Sequence, residues 1–224
     1  MNADSAVLRA SGGGPGGDIP GATSAAARGR GRPQTIHGVG LWVFIGVATT
    51  LFSLFIAAYV MRMANADAVA IAMPAQLWVS TALLVLGSAL LHRAGAAAHA
   101  ASDTRLAWRW LLAGGACAFV FLAAQGWAWQ ALLARQVTAA GNPAGSFFYL
   151  LTALHALHVA GGLIAWTVVA RAFRRERADD PAGGAWRVSL LARYWHFLLL
   201  AWLALFACFS GITPEVARII CGAP

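Results

Sequence analysis

Residues 147–163 read FFYLLTALHALHVAGGL, and in this apolar run His155 and His158 stand three residues apart. Ionisable side chains are costly in hydrocarbon and often mark function there. Three residues along a helix return to within about 60° of the same face, with a rise of about 4.5 Å. Both imidazoles can therefore address one neighbour. They can act as haem or metal ligands, as a proton relay, or as hydrogen-bonding groups between packed helices.

Each chemistry makes demands on the rest of the chain. A bis-histidine haem needs a second ligand at the same level, and the candidates are His92 and His196. The apolar run holding His196 starts at Tyr194, directly after Arg193, which places His196 near one membrane face. His158 falls near the middle of its own run. At 1.5 Å per residue the expected depth difference is about 15 Å, too large for one haem. His92 and His196 match in depth, beside Arg93, where both can reach interfacial water. A proton relay would normally add intramembrane carboxylates. All eight Asp and Glu lie in the tail or loops between apolar runs, which argues against a pump, transporter or proton channel. The reading that remains is two neutral histidines bonded across a helix interface.

Other candidates are structural. Thr152, Ala156 and Ala160 follow each other at intervals of four, then come Gly161 and Gly162. Small residues at that spacing let helices approach closely, within the chain or against a partner subunit. Tyr194, Trp195 and His196 open the last apolar run as an interfacial anchor. Cys117, Cys208 and Cys221 form no C-x-x-C, C-x-x-C-H or C-x-x-x-C. This removes local motifs for c-type haem, zinc ribbons and a dinuclear copper loop. No catalytic, cofactor-binding or metal-ligating set is therefore expected from this chain.

The elements that position these residues follow from composition. The 224 residues are 60% hydrophobic and 11% charged, against about 25% charged in soluble domains. The net charge of +8 comes entirely from arginine in its basic residues. No basic-plus-aromatic soluble module accompanies it, so no nucleic-acid partner is expected. Residues 1–35 are rich in Gly, Ala and Arg and read as a disordered tail without a signal-peptide core. Residues 36–224 form the membrane domain, with spans at about 39–61, 75–92, 110–133, 147–170 and 194–212, each near the length a spanning helix needs. Thirteen arginines fall on the side of the tail and the second and fourth interhelical loops. Arg62, Arg135 and Arg218 fall on the other. The excess predicts an N-terminus facing the cytoplasm or matrix and a C-terminus facing the other side. Trp42, Tyr59, Trp78, Trp110, Trp129, Tyr149, Trp166 and Trp195 lie near span ends, as an aromatic belt requires. The fold class is all-α integral membrane with five transmembrane helices.

Five stretches then occur in a telling order: GLWVFIG (40–46), QLWVSTALLVLGSALL (76–91), FLAAQGWAW (121–129), NPAGSFFYLLTALHALHVAGGL (142–163) and YWHFLLLAWLALF (194–206). Together they resemble subunit III of the haem–copper respiratory oxidases, in the five-helix bacterial form of cytochrome c oxidase subunit 3. The resemblance covers about 36–212. It implies a non-catalytic partner of oxidase subunit I, and of subunit II, that holds phospholipid and sustains turnover while haem and copper stay in subunit I. From the residues themselves, structural, lipid or subunit-interface roles are expected for His155, His158, Thr152, Ala156, Ala160, Gly161, Tyr194, Trp195 and His196. The chain departs from the family where members carry intramembrane acids, with Ala48, Ala128 and Leu199 at those positions. No proton-related role of those acids carries over. A quinol oxidase subunit III and a nitric-oxide-reductase accessory protein share the pattern. From a different class, a haem b membrane anchor would use the histidines directly.

Overall fold

The computed structural model describes residues 21–65, 73–100, 104–138, 143–175 and 181–222. These form five long helices and one short one: α1 (Gly21–Met63), α2 (Gln76–Ala100), α3 (Thr104–Ala134), α4 (Pro143–Arg175), α5 (Pro181–Gly211) and α6 (Pro214–Cys221). There is no strand among the described residues. Five segments are long and apolar enough to cross a membrane: Gly38–Met63, Gln76–Ala100, Thr104–Ala134, Ala144–Arg175 and Ala182–Gly211. The chain is a multi-pass membrane protein.

The helices outrun the apolar segments that announced them. α3 starts six residues before Trp110, and α5 starts thirteen before Tyr194. Hydropathy sees only the uncharged centre of a span, whereas a helix continues while its arginines extend to the polar zone. The expected disordered tail divides likewise. Residues 1–20 lie outside the described residues, while α1 has helical backbone from Gly21.

The described residues divide between Val39 and Gly40 into two units, the second running from Gly40 onward. Within the second unit α2 packs on α3 and α5, and α4 packs on α5 and α3. Small residues set the α2–α3 approach. A Cβ on Gly87 would meet Cys117 Cβ at 3.1 Å, and one on Gly114 would strike Leu91 Cγ at 2.6 Å. Bundles in lipid depend on such close contacts because burial alone gives no driving force between helices. From Gly40 onward α1 reaches its neighbours through aromatic side chains: Phe44 to Tyr194, and Tyr59 to Phe147 and Phe209.

α6 was not foreseen. Thr213 caps it, Pro214 opens it, and Gly222 closes it in a left-handed conformation at φ 64°. This is the pairing expected of helix starts and stops. It also corrects the expectation that no helix carries an acid, since Glu215 sits in its first turn. The membrane-spanning helices carry none among the described residues.

Candidate functional site

The interior of the bundle is held by polar pairs that link helices. Gln125 Nε2 donates to Ser80 Oγ at 3.0 Å, joining α3 to α2. Trp129 Nε1 donates to Thr152 Oγ1 at 3.1 Å, joining α3 to α4. Trp202 Nε1 donates to Thr81 Oγ1 at 2.9 Å, joining α5 to α2. Trp166 Nε1 donates to the Leu111 carbonyl at 2.9 Å. Thr152 and Thr81 also turn their own hydroxyls onto backbone carbonyls four residues back, Phe148 and Leu77. Each hydroxyl therefore satisfies its own helix and accepts from the next.

His155 stands at the centre, fully buried. Its ring lies against Phe121 at 5.8 Å, Trp202 at 5.2 Å and Phe52 at 6.3 Å between centroids. Neither ring nitrogen, nor Gln125 Oε1, has a protein hydrogen-bond partner. His158 is half-buried, its Nδ1 against the Leu154 carbonyl at 2.7 Å and its ring flanked by Phe44 and Phe52. The two imidazoles share Phe52 as a neighbour and address no common ligand. Tyr194 donates its hydroxyl to the His158 carbonyl at 2.9 Å, tying α5 to α4 through the backbone.

His196 belongs to another cluster. Its Nδ1 lies 2.6 Å from Ser88 Oγ, and its Nε2 lies 3.4 Å from His92 Nδ1. About two turns beyond His92 on α2, His99 Nε2 pairs with Ser189 Oγ at 2.8 Å. Arg93 and Arg174 stack over Trp110 and Trp108 at 5.8 and 5.7 Å. Such contacts pack the guanidinium against an aromatic face without an acidic partner.

Three sequence expectations need correction. The 15 Å depth gap between His158 and His196 is too large. Trp195 lies against Gly162 and Trp202 against His155, so the antiparallel register sets His196 opposite Gly161. That leaves three residues, about 4.5 Å, between the levels of His158 and His196. The error came from taking Arg193 as the helix end, when α5 runs back to Pro181. Trp195 is no interfacial anchor, being completely buried, and Tyr59 is buried as well. Trp42 and Trp78 do face outward. In the small-residue stripe, Gly161 is exposed with open space around it, whereas Gly162 makes the contact. Thr152 is buried, and Ala156 and Ala160 are half-buried.

Ser80, Thr81, Ser88, Gln125 and Trp202 are the positions that residue-by-residue reading missed. Their signal was present as polar side chains within apolar helices, which seek partners across helix interfaces. At the positions where the family's acids were expected, Ala48 and Ala128 are buried and Leu199 is half-buried. Among the described residues no group of three or more His, Cys, Asp or Glu could hold a metal ion. All three cysteines are free.

A groove of about 540 Å³ runs between α1 and α5. Trp42, Ile45, Phe52, Phe197 and Leu200 line it, and Arg193 and His196 stand at one end. α4 presents Leu157, Ile164 and Val168 outward, and α1 presents Val43, Val47 and Leu54. Apolar exteriors of this extent need lipid or a partner subunit.

No family model matches the chain. It is 31% identical over 129 residues to "Probable cytochrome c oxidase subunit 3" of Mycobacterium leprae, covering 57% of this chain and 62% of that one. It is 33% identical over 87 residues to the protein of the same name from Nocardia farcinica, covering 39% of this chain and 42% of that one. It is 30% identical over 87 residues to "Cytochrome c oxidase subunit 3" of Corynebacterium diphtheriae, with the same coverages of 39% and 42%. The matched stretches thus span less than two thirds of these relatives. The resemblance to oxidase subunit III therefore has support from curated relatives in several actinobacteria.

Proposed function

We propose that this chain is the non-catalytic subunit III of an aerobic terminal oxidase of the cytochrome c oxidase type. The similarity over 129 residues to a relative named for that subunit carries the reading. The five spanning segments are compatible with it. In this role the chain stabilises catalytic subunit I, contacts subunit II, and contributes no redox centre. Electron transfer to O₂ takes place on the haem and copper of subunit I. The arginine-rich ends of α2 to α5 then face the cytoplasm, and α6 lies on the periplasmic side of a bacterial inner membrane.

The α1–α5 groove is where we place a phospholipid. An acyl chain suits its apolar walls, and Arg193 at one end suits a phosphate, since a basic side chain near an anionic membrane surface contributes about 1 kcal/mol. The aromatic cage around His155, the Leu154 carbonyl against His158 Nδ1, and the Ser88 and His92 contacts of His196 favour packing roles for His155 and His158 over haem ligation.

Purification of the tagged chain from native membranes in mild detergent tests the reading. A large haem- and copper-containing subunit is expected to accompany it. Removing the chain should leave the haem spectra of that subunit while turnover or stability falls. A bis-histidine haem spectrum from the chain alone would refute the proposal in favour of a haem b anchor. A copper-loop subunit encoded beside it would identify cytochrome c, and not quinol, as donor.

A further inference from the structure

We propose that His92 and His196 form a two-imidazole site for a divalent transition-metal ion of the zinc class, linking α2 to α5 beside Arg93 and Arg193. The site is independent of the oxidase reading and of any redox chemistry.

Geometry carries the proposal. The facing nitrogens, His196 Nε2 and His92 Nδ1, are 3.4 Å apart. That is the long end of hydrogen-bond distance. Two ligands of one tetrahedral ion with metal–nitrogen bonds of about 2.0–2.1 Å lie about 3.3–3.4 Å apart. The rings are centred 5.5 Å apart with a 48° interplanar angle, tilted and not stacked. The pair is thus spaced as ligands are.

Ser88 supplies the second observation. It is almost completely buried, and its Oγ lies 2.6 Å from His196 Nδ1. In the tautomer that donates Nδ1–H to this oxygen, the Nε2 lone pair is directed at His92. A hydrogen bond on the remote ring nitrogen is how proteins fix the tautomer and orientation of a ligating histidine. His92 is exposed on the surface of the bundle, which leaves further coordination positions uncovered by the protein.

The donor set decides which ions suit the site. Arg193 precedes His196 by about one turn and shares the groove with it. Arg93, beside His92, is directed over Trp110. The only described carboxylate, Glu215, is on α6. A donor set of two imidazoles disfavours oxygen-seeking magnesium and calcium. It leaves ions that bind imidazole well, such as zinc, nickel and copper(II). Neutral imidazoles are required, so binding competes with protons.

The test is a zinc titration of the purified full-length chain in detergent against a chromophoric chelator. One zinc per chain is expected. His92→Ala and His196→Ala should each lose that site, while His92→Cys, which supplies a thiolate, should keep it. Ser88→Ala should weaken binding about 10-fold or more. His99→Ala should leave it unchanged, because His99 is paired with Ser189. Tryptophan fluorescence and gel filtration confirm that each variant is folded, and exposed His92 can be replaced without opening the core. The absence of a saturable one-equivalent site would overturn the proposal. So would equal zinc affinity in the wild type and a folded His92→Ala variant, leaving a hydrogen-bonded pair only.

Discussion

Gly161 and Gly162 are adjacent in sequence and opposite in environment, which makes them a controlled experiment on how α4 meets α5. A Cβ added at Gly162 would lie 2.8 Å from Trp195 Cζ3, 2.9 Å from Tyr194 Cε1 and 3.1 Å from Trp195 Cη2. Carbon atoms prefer separations of about 3.5–4.0 Å, so the rings must retreat by most of an ångström. Trp195 has no exposed surface into which to swing. Overpacking of this kind costs about 1–3 kcal/mol. A Cβ added at Gly161 meets nothing within 4 Å. Both positions lie inside α4, so both alanine variants gain the same helix propensity, about 1 kcal/mol. That gain cancels in the comparison. Gly162→Ala is therefore expected to be less stable than Gly161→Ala by about 1–3 kcal/mol. Reversible unfolding of the isolated chain by SDS in mixed micelles measures the difference directly. Variants within about 0.5 kcal/mol of each other, or a reversed order, would refute the register assigned to α4 and α5. If Gly161 faces a partner subunit, its alanine variant weakens the complex while leaving the isolated chain sound.

Other consequences are accessible to similar measurements. A double-mutant cycle on Thr81→Val and Trp202→Phe should give a coupling of about 0.6 kcal/mol and no more than about 1.7, the range for interhelical hydrogen bonds in membranes; zero coupling in SDS unfolding would remove that bond. Gly115→Ala places a methyl group on the Trp166 indole, with Nε1 2.7 Å away, and should break the bond to the Leu111 carbonyl. A loss of about 1–3 kcal/mol is expected, and an unchanged indole N–H resonance would count against it. Replacing His155 with Met should leave the haem content of the purified complex unchanged; loss of a haem signal from a folded complex would make His155 a ligand. The Thr213 side chain, Glu215's own backbone amide and Arg218 lower the pKa of the exposed Glu215 carboxyl. A lowered pKa stabilises α6 above the ordinary carboxylate value, and that contribution is lost as pH falls through the lowered one. Protection factors of the 216–221 amides, with the intrinsic pH dependence of exchange divided out, should therefore fall on acidification, and Glu215→Gln should remove that fall.

Five spans were legible because each carries an uncharged apolar centre, the strongest signal a membrane sequence offers. Their ends were not, because arginine marks where a side chain can reach polar surroundings and not where the backbone stops being helical. Arg187 and Arg193 lie within α5. α6 was hidden for a different reason. It spans only eight residues, and its cap residues Thr213, Pro214 and Gly222 are the signature to seek after a final span.

The histidines show how a single boundary propagates into function. With α5 taken from Tyr194, His158 and His196 stood far apart in depth, and distance alone seemed to rule out a shared haem. The paired contacts of Trp195 with Gly162 and Trp202 with His155 bring them to nearly one level. The haem reading is disfavoured instead by direction. His155 is closed in by three aromatic rings, His158 has its Nδ1 against its own helix, and His196 faces Ser88 and His92. Direction depends on which face each residue presents, and that is settled by register between helices distant in sequence. LHALH can place two imidazoles on nearby faces of one helix. Only packing against α1, α3 and α5 decides that they serve different neighbours.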